Sequence, residues 1–346
     1  MSSTRFHLLD GLRGYAALVV VLTHMMGFFH HTLPVEAGLL AVDLFFVMSG
    51  LVIAMNYDHK LRSGEMSLPS FMRRRLVRLY PVYILGAVIG LIFYLGTAPD
   101  GLARLPGTSL SALTMLPQFL FGIQGATFDY NTPAWSLSLE IYGNLLFALF
   151  AIRLPNRALA ATALIAAIVF AIGAAKAGTL NIGPHANDFF LGFARFWYSF
   201  AVGILIWRWR EYLPRFGIAG PVIVVIAMLF PALPAGDLLR FLWVILVMPL
   251  AVIAASQIHV GKRTSQFCDH LGRMSYPVYI IHQPVIRLTT AILAKFFGQA
   301  MWSNPLAGAI GLLAALIATV VATYWVEPPL RAAFAKLTGG TTPRIA

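Results

Sequence analysis

The chain has 346 residues, 59% hydrophobic and only 11% charged, with a mean hydropathy of +0.78. Soluble domains carry about 25% charged residues, so this composition excludes an ordinary water-soluble fold and indicates a polytopic membrane protein. The net charge of +12 does not describe a nucleic-acid surface, because the basic residues lie in short loops between apolar segments rather than interleaved with aromatics. A single cysteine, Cys268, excludes an intramolecular disulfide.

Eleven apolar segments follow one another, near residues 11–29, 36–56, 80–97, 109–122, 134–152, 158–177, 187–207, 217–233, 239–257, 276–297 and 305–327. The first, DGLRGYAALVVVLTHMMGFFHH, places Asp10 as an N-cap and Arg13 in the first turn of a helix. His24 follows eleven residues after Arg13, which is roughly 20° beyond three full turns and about 16 Å along the axis. The two therefore share a face. No small-residue cleavage site follows this run, so it is expected to remain as a span. An ionisable group as deep as His24 is a functional-site candidate by default. His30 and His31, at the outer end, read as polar caps.

The second segment brings in Asp43, and FMRRRLVRLYP, residues 71–81, sets Arg73, Arg74, Arg75 and Arg78 against the start of the third. Arginine forks suit bidentate phosphate contacts. The plainer reading is a topology anchor on anionic lipid headgroups. The fourth segment, SLSALTMLPQFLFG, has 14 residues and contains Pro117, short of the ~20 needed to cross. If it does not cross, only Arg104, Lys176, Arg240 and Lys295 remain outside while the basic clusters lie inside; if it crosses, every later cluster inverts. The positive-inside rule thus predicts an all-α protein with about ten transmembrane helices, a short re-entrant or interfacial helix at 109–122, and both termini cytoplasmic. Residues 1–335 form one membrane-embedded domain and 336–346 a short polar cytoplasmic tail.

Counting residues from the outer ends puts His24, Asp43, Glu140 and Arg195 at one level, roughly 8–12 Å below the outer surface. Isolated charges at that depth are expensive, so mutual pairing in a polar cavity is expected. A stabilising pair of Arg195 with Asp43 or with Glu140 is the bland alternative. His282, in SYPVYIIHQP, is a second buried histidine, and an interhelical hydrogen bond is an equally simple account of it. No histidine pair at i, i+4 with a carboxylate suggests a metal site, and no Gly-x-Ser-x-Gly, Walker or dinucleotide fingerprint is present.

Several motifs coincide in order: DGLRGYAALVVVLTH with its Arg-x10-His pair, VDLFFVMSGLVIA, RRRLVRLYPVY with Arg75-x-x-Arg78, TPAWSLSLEIYGNLLF, LGRMSYPVYIIHQP and YWVEPPL. Together they resemble the bacterial acyltransferase-3 family of integral-membrane O-acyltransferases over residues 10 to about 330. The resemblance implies an enzyme of the bacterial cytoplasmic membrane. It would transfer an acyl group, most often acetyl, from cytoplasmic acyl-CoA to a hydroxyl of a glycan or other cell-envelope or small-molecule acceptor. Acyl-CoA is then a co-substrate, no cofactor is tightly bound, membrane lipids surround the chain, and nucleic acid is not a partner. In this scheme His24 is the general base and Arg13 holds the donor or orients the helix. Glu140 or Asp43 orients the imidazole, and Arg195 steadies the oxyanion. Arg73, Arg74, Arg75 and Arg78 grip the phosphates, while His282, Trp135 and Ser136 are secondary substrate-side residues. The rival from another class is a proton-coupled transporter whose relay is His24, Asp43, Glu140 and Arg195.

Overall fold

The computed structural model describes residues 6–30, 38–97, 101–233 and 235–339. Arg5, His31 and Arg344 lie outside the described residues. Apolar runs become helices here because backbone N–H and C=O groups in a membrane must be satisfied within the segment. In chain order these are α1 (His7–Met25), α2 (Ala41–Ile53), α3 (His59–Arg62), α4 (Leu68–Thr97), α5 (Leu105–Thr114), α6 (Ala134–Leu146) and α7 (Asn156–Ala177). The second half adds α8 (Phe189–Arg208), α9 (Ala219–Leu229), α10 (Asp237–Leu242), α11 (Met248–Gln257), α12 (Lys262–Phe297), α13 (Pro305–Val321) and α14 (Glu327–Leu337). Short π turns join α2 to α3, α10 to α11 and α13 to α14, so these pairs run on as single rods. Among the described residues there is no β-strand, only an isolated bridge between Ala126 and His185.

Eight helical stretches among the described residues are long and apolar enough to cross a membrane: α1, α2–α3, α4, α6 with its π turn, α7, α8, α10–α11 and α13–α14. The protein is an all-helical, multi-pass membrane protein. Three apolar segments of the sequence fall outside that set. One is the short run at 109–122, whose α5 has 10 residues, and one is α9, with 11. The third lies in α12, whose 36 residues include His282, Gln283 and Arg287 and pack between α1, α4 and α13. The face that meets lipid is clearest on α7, where Leu164, Ile165, Ile168, Val169 and Ile172 are all exposed.

The segment at 109–122 does not form a long helix. Helix α5 has 10 residues, about 15 Å long and half of the ~30 Å hydrocarbon thickness. It ends at Met115, which takes a left-handed conformation with φ of 58°, and the chain then returns to Tyr130 beside Gly90 of α4. The approach is so close that a Cβ on Gly90 would stand 1.8 Å from the Tyr130 carbonyl oxygen. Three carbonyls at the reversal find side-chain donors: Tyr80 Oη to Leu113 O at 2.6 Å, Tyr142 Oη to Met115 O at 2.9 Å, and Ser111 Oγ to Leu116 O at 2.6 Å. Irregular backbone is tolerated at membrane depth where protein groups satisfy it in this way. The segment is thus too short to cross as a helix.

The same logic explains how α12 carries Pro284 in its interior. Proline has no N–H to give the carbonyl four residues back, so Ile280 O is free, and Asn131 Nδ2 donates to it at 2.7 Å. This bond, with Gly86 of α4 packed against Asn131 and Ile280, ties the loop before α6 to α4 and α12. Gly86 lies eleven residues before the end of α4, so α6 starts about 16 Å below that end rather than at the surface.

Candidate active site

A cavity of about 100 Å³ opens among α1, α2, α4, α6 and α12. Its polar end is lined by Arg13, Arg75, Arg78, Glu140, Ser49 and Ser275, and its other end by Phe45, Ser136 and Tyr279. Arg75 and Arg78 reach it together because residues three apart share a helix face. Arg75 is buried, and its Nη2 lies 2.6 Å from Glu140 Oε1, which also accepts from Ser49 Oγ at 2.8 Å. Arg13 Nη1 is 3.3 Å from Asp10 Oδ1, and its Nη2 reaches Ser275 Oγ at 3.3 Å and Gly272 O at 3.4 Å. Arg78 makes no side-chain hydrogen bond or ion pair among the described residues, and Arg75 Nε is buried without an acceptor. Three guanidinium groups therefore face one lining carboxylate, Glu140, with Asp10 behind Arg13 as a second acid. Arg78 has no ion pair among the described residues, and an unpaired cation is costly to enclose, so the cavity is suited to an anion.

The remaining two members of the arginine run lie off this cavity. Arg73 Nη1 donates to Thr338 O and Gly339 O, the latter at 2.9 Å, and so anchors the end of α14. Arg74 is exposed. One helix cannot point four residues in six at a single ligand, so the sequence cluster divides into a lining pair and a peripheral pair.

Nor do the four ionisable residues assigned to one depth come together. Asp43 and Arg195 form a completely buried pair, Nη2 to Oδ2 at 2.6 Å. The other Arg195 donors are spent as well: Nε on Asp43, Nη1 on Leu180 O and Ile182 O, and Nη2 also on Leu39 O. The guanidinium further lies 5.9 Å from the Trp135 ring. No donor remains for an oxyanion, and Trp135 faces Arg195 instead of the cavity. Glu140 binds Arg75, and His24 meets His282. Among the described residues, no hydrogen bond or ion pair joins one of these three pairs to another, so a single relay of His24, Asp43, Glu140 and Arg195 does not form. For Glu140 the cause is the deep start of α6: counting from Ala134 as if it lay at the surface puts the carboxylate too far out.

His24 lies in the last turn of α1, with Nδ1 2.9 Å from Val20 O. His282, completely buried on α12, approaches it with ring centroids 5.0 Å apart. One turn back, the Tyr279 ring is 6.3 Å from His282, and its hydroxyl is 2.7 Å from Ser136 Oγ at the apolar end of the cavity. Tyr279 thus lines the cavity and also lies against His282, with Phe45 beside it at 5.4 Å. Ser275, Tyr279 and His282 stand at i, i+4 and i+7, so the SYPVYIIH run already held the signal for Ser275 and Tyr279; sequence reasoning took only the histidine. Ser49 was likewise legible in VMSG but has no charge to draw notice. Among the described residues no group of three or more histidine, cysteine or acidic side chains gathers to hold a metal.

The model of the acyltransferase domain family matches residues 6–324. The sequence is 36% identical over 186 residues to protein 2 in the picA locus of Rhizobium radiobacter, covering 50% of this chain and 96% of that one. It is 28% identical over 351 positions to the acyltransferase MdmB of Streptomyces mycarofaciens, covering 90% and 87%. It is 23% identical over 361 positions to the peptidoglycan O-acetyltransferase OatA of Listeria monocytogenes, covering 93% of this chain but 55% of OatA. No solved structure is significantly similar.

Proposed function

The chain belongs to the acyltransferase domain family, and on that premise we propose that it carries an acyl group, acetyl above all, from cytoplasmic acyl-CoA to a hydroxyl on the far side of the bacterial cytoplasmic membrane. The acceptor class is a cell-envelope glycan, by likeness to the peptidoglycan O-acetyltransferase OatA, or a small hydroxylated molecule. The observation that carries the reading is the excess of guanidinium groups at one cavity: Arg13, Arg75 and Arg78 against the carboxylates of Asp10 and Glu140. Coenzyme A offers a pyrophosphate and a third phosphate to such a site, and arginine is the residue that binds phosphate in a fork. The pantetheine arm then threads the apolar end, past Phe45 and Tyr279, towards His24.

At His24 the acceptor O–H gives its proton to Nε2, and the oxygen attacks the thioester carbonyl carbon. The C–S bond breaks, and the departing coenzyme A thiolate takes the proton back from the imidazolium. Direct transfer needs no acyl-enzyme and leaves His24 as it began. The transporter alternative draws no support from the three separate pairs, and it offers no account of a pocket lined by three arginines.

Purified protein in lipid nanodiscs is expected to bind coenzyme A, and Arg78→Ala to weaken that binding by about 10- to 100-fold, the equivalent of about 1.5–3 kcal/mol for a lost charged hydrogen bond. Calorimetric titration in neutral and in anionic lipid measures it. Unchanged affinity in Arg78→Ala would return the arginines to the role of lipid anchor.

A further inference from the structure

Resting on the reading of His24 as base, we propose that His282 is a positioning residue that fixes the tautomer of His24. His282 Nδ1 lies 3.0 Å from Val278 O and 2.8 Å from Tyr279 O. Carbonyl oxygens only accept, so this nitrogen carries a hydrogen, and in a neutral imidazole Nε2 is then a lone-pair acceptor. That lone pair faces His24 Nδ1 at 3.4 Å. His24 Nδ1 has Val20 O at 2.9 Å as its other neighbour. Both groups around it are acceptors, so its hydrogen resides on Nδ1, and Nε2 keeps the lone pair that base chemistry requires. The opposite tautomer of His24 would set three acceptors against one another with no hydrogen between them.

Val20 O is the nearer acceptor, but it stands four residues before His24 in α1 and gives one of its two lone pairs to the helical N–H, whereas the lone pair of His282 Nε2 has no other partner among the described residues. When His24 takes the acceptor's proton on Nε2, the bond from Nδ1–H to His282 is the contact that holds the charged ring in the same orientation. A third group orienting a histidine base by its second nitrogen is the recurring logic of such sites. Here a buried neutral imidazole on α12 fills that role in place of a carboxylate, and the carboxylates Asp43 and Glu140 are committed elsewhere.

The test is nitrogen NMR of histidine-labelled protein in lipid bilayers, with His24→Asn used to assign the His24 signals. Wild type is expected to show His24 with Nδ1 protonated and Nε2 bare, and His282→Leu to show a mixture of tautomers. The His282→Gln side chain keeps an acceptor and is expected to restore the single tautomer, which also guards against a Leu variant that fails to fold. In acetyl-CoA turnover with a cell-envelope extract as acceptor, His282→Leu is expected to lower kcat by about tenfold or more with coenzyme A affinity unchanged. A protonated Nε2 in wild type, or a single Nδ1–H tautomer with full kcat in His282→Leu, overturns the proposal. Loss of the base reading has a different signature: His24→Ala would then retain turnover, whatever the tautomers are.

Discussion

His24→Ala is expected to slow acyl transfer by about 10²- to 10⁴-fold, the range that a positioned general base contributes, while coenzyme A binds as in wild type. The separation of the two effects follows from the geometry. The arginine end of the cavity is lined by α1 near its start, by α2, α4 and α6, and by α12 at Ser275. His24 lies near the other end of α1, about 16 Å further along the helix, and does not line that cavity. Truncating it therefore removes the proton acceptor without touching a phosphate contact. Turnover of acetyl-CoA by the purified variant, with its coenzyme A affinity measured alongside, checks this; wild-type kcat would refute the assignment.

The second large effect is on stability. Arg195→Leu is expected to destabilise the protein by about 3–5 kcal/mol, the usual cost of breaking a buried ion pair from one side. The substitution strands the Asp43 carboxylate, which has no exposure, together with the carbonyls of Leu39, Leu180 and Ile182. These carbonyls belong to the segments entering α2 and α8, the two helices that cross so tightly that a Cβ on Gly50 would stand 2.0 Å from Phe200 O. Arg195→Lys is the sharper probe. It keeps the charge but cannot reach four acceptors at once, so thermal unfolding should shift downward while the folded fraction retains its kcat. Normal stability with lost transfer would instead make Arg195 a catalytic cation.

How far the sequence could be read depended on what kind of physics each feature needed. The Arg13–His24 face, the short 109–122 segment and the all-helical class follow from helical period, length and charge asymmetry, all local to the chain. The partners of the charges do not. Glu140 meets Arg75 because the loop after the 109–122 segment plunges to Gly86 before α6 begins, and no residue count from Ala134 contains that descent. Arg73 and Arg75 look alike in RRRLVR, yet one caps the end of α14 and the other lines the cavity, a difference of two residues on one helix. The histidine pair needs α1 and α12 to lie side by side, which is a property of packing; what was legible was only that each histidine is too costly to bury without a partner.

In this scheme the acyl group enters from the arginine end as a coenzyme A thioester and leaves as an ester beyond His24. Reconstituting the protein in sealed vesicles with one known orientation, and supplying radiolabelled acetyl-CoA to one side at a time, tests it. Thioester is expected to be consumed only from the side bearing Arg75 and Arg78, with label appearing on hydroxyls of envelope glycan enclosed on the other side. Intact thioester on both sides, or consumption only from the side bearing His30, would contradict it.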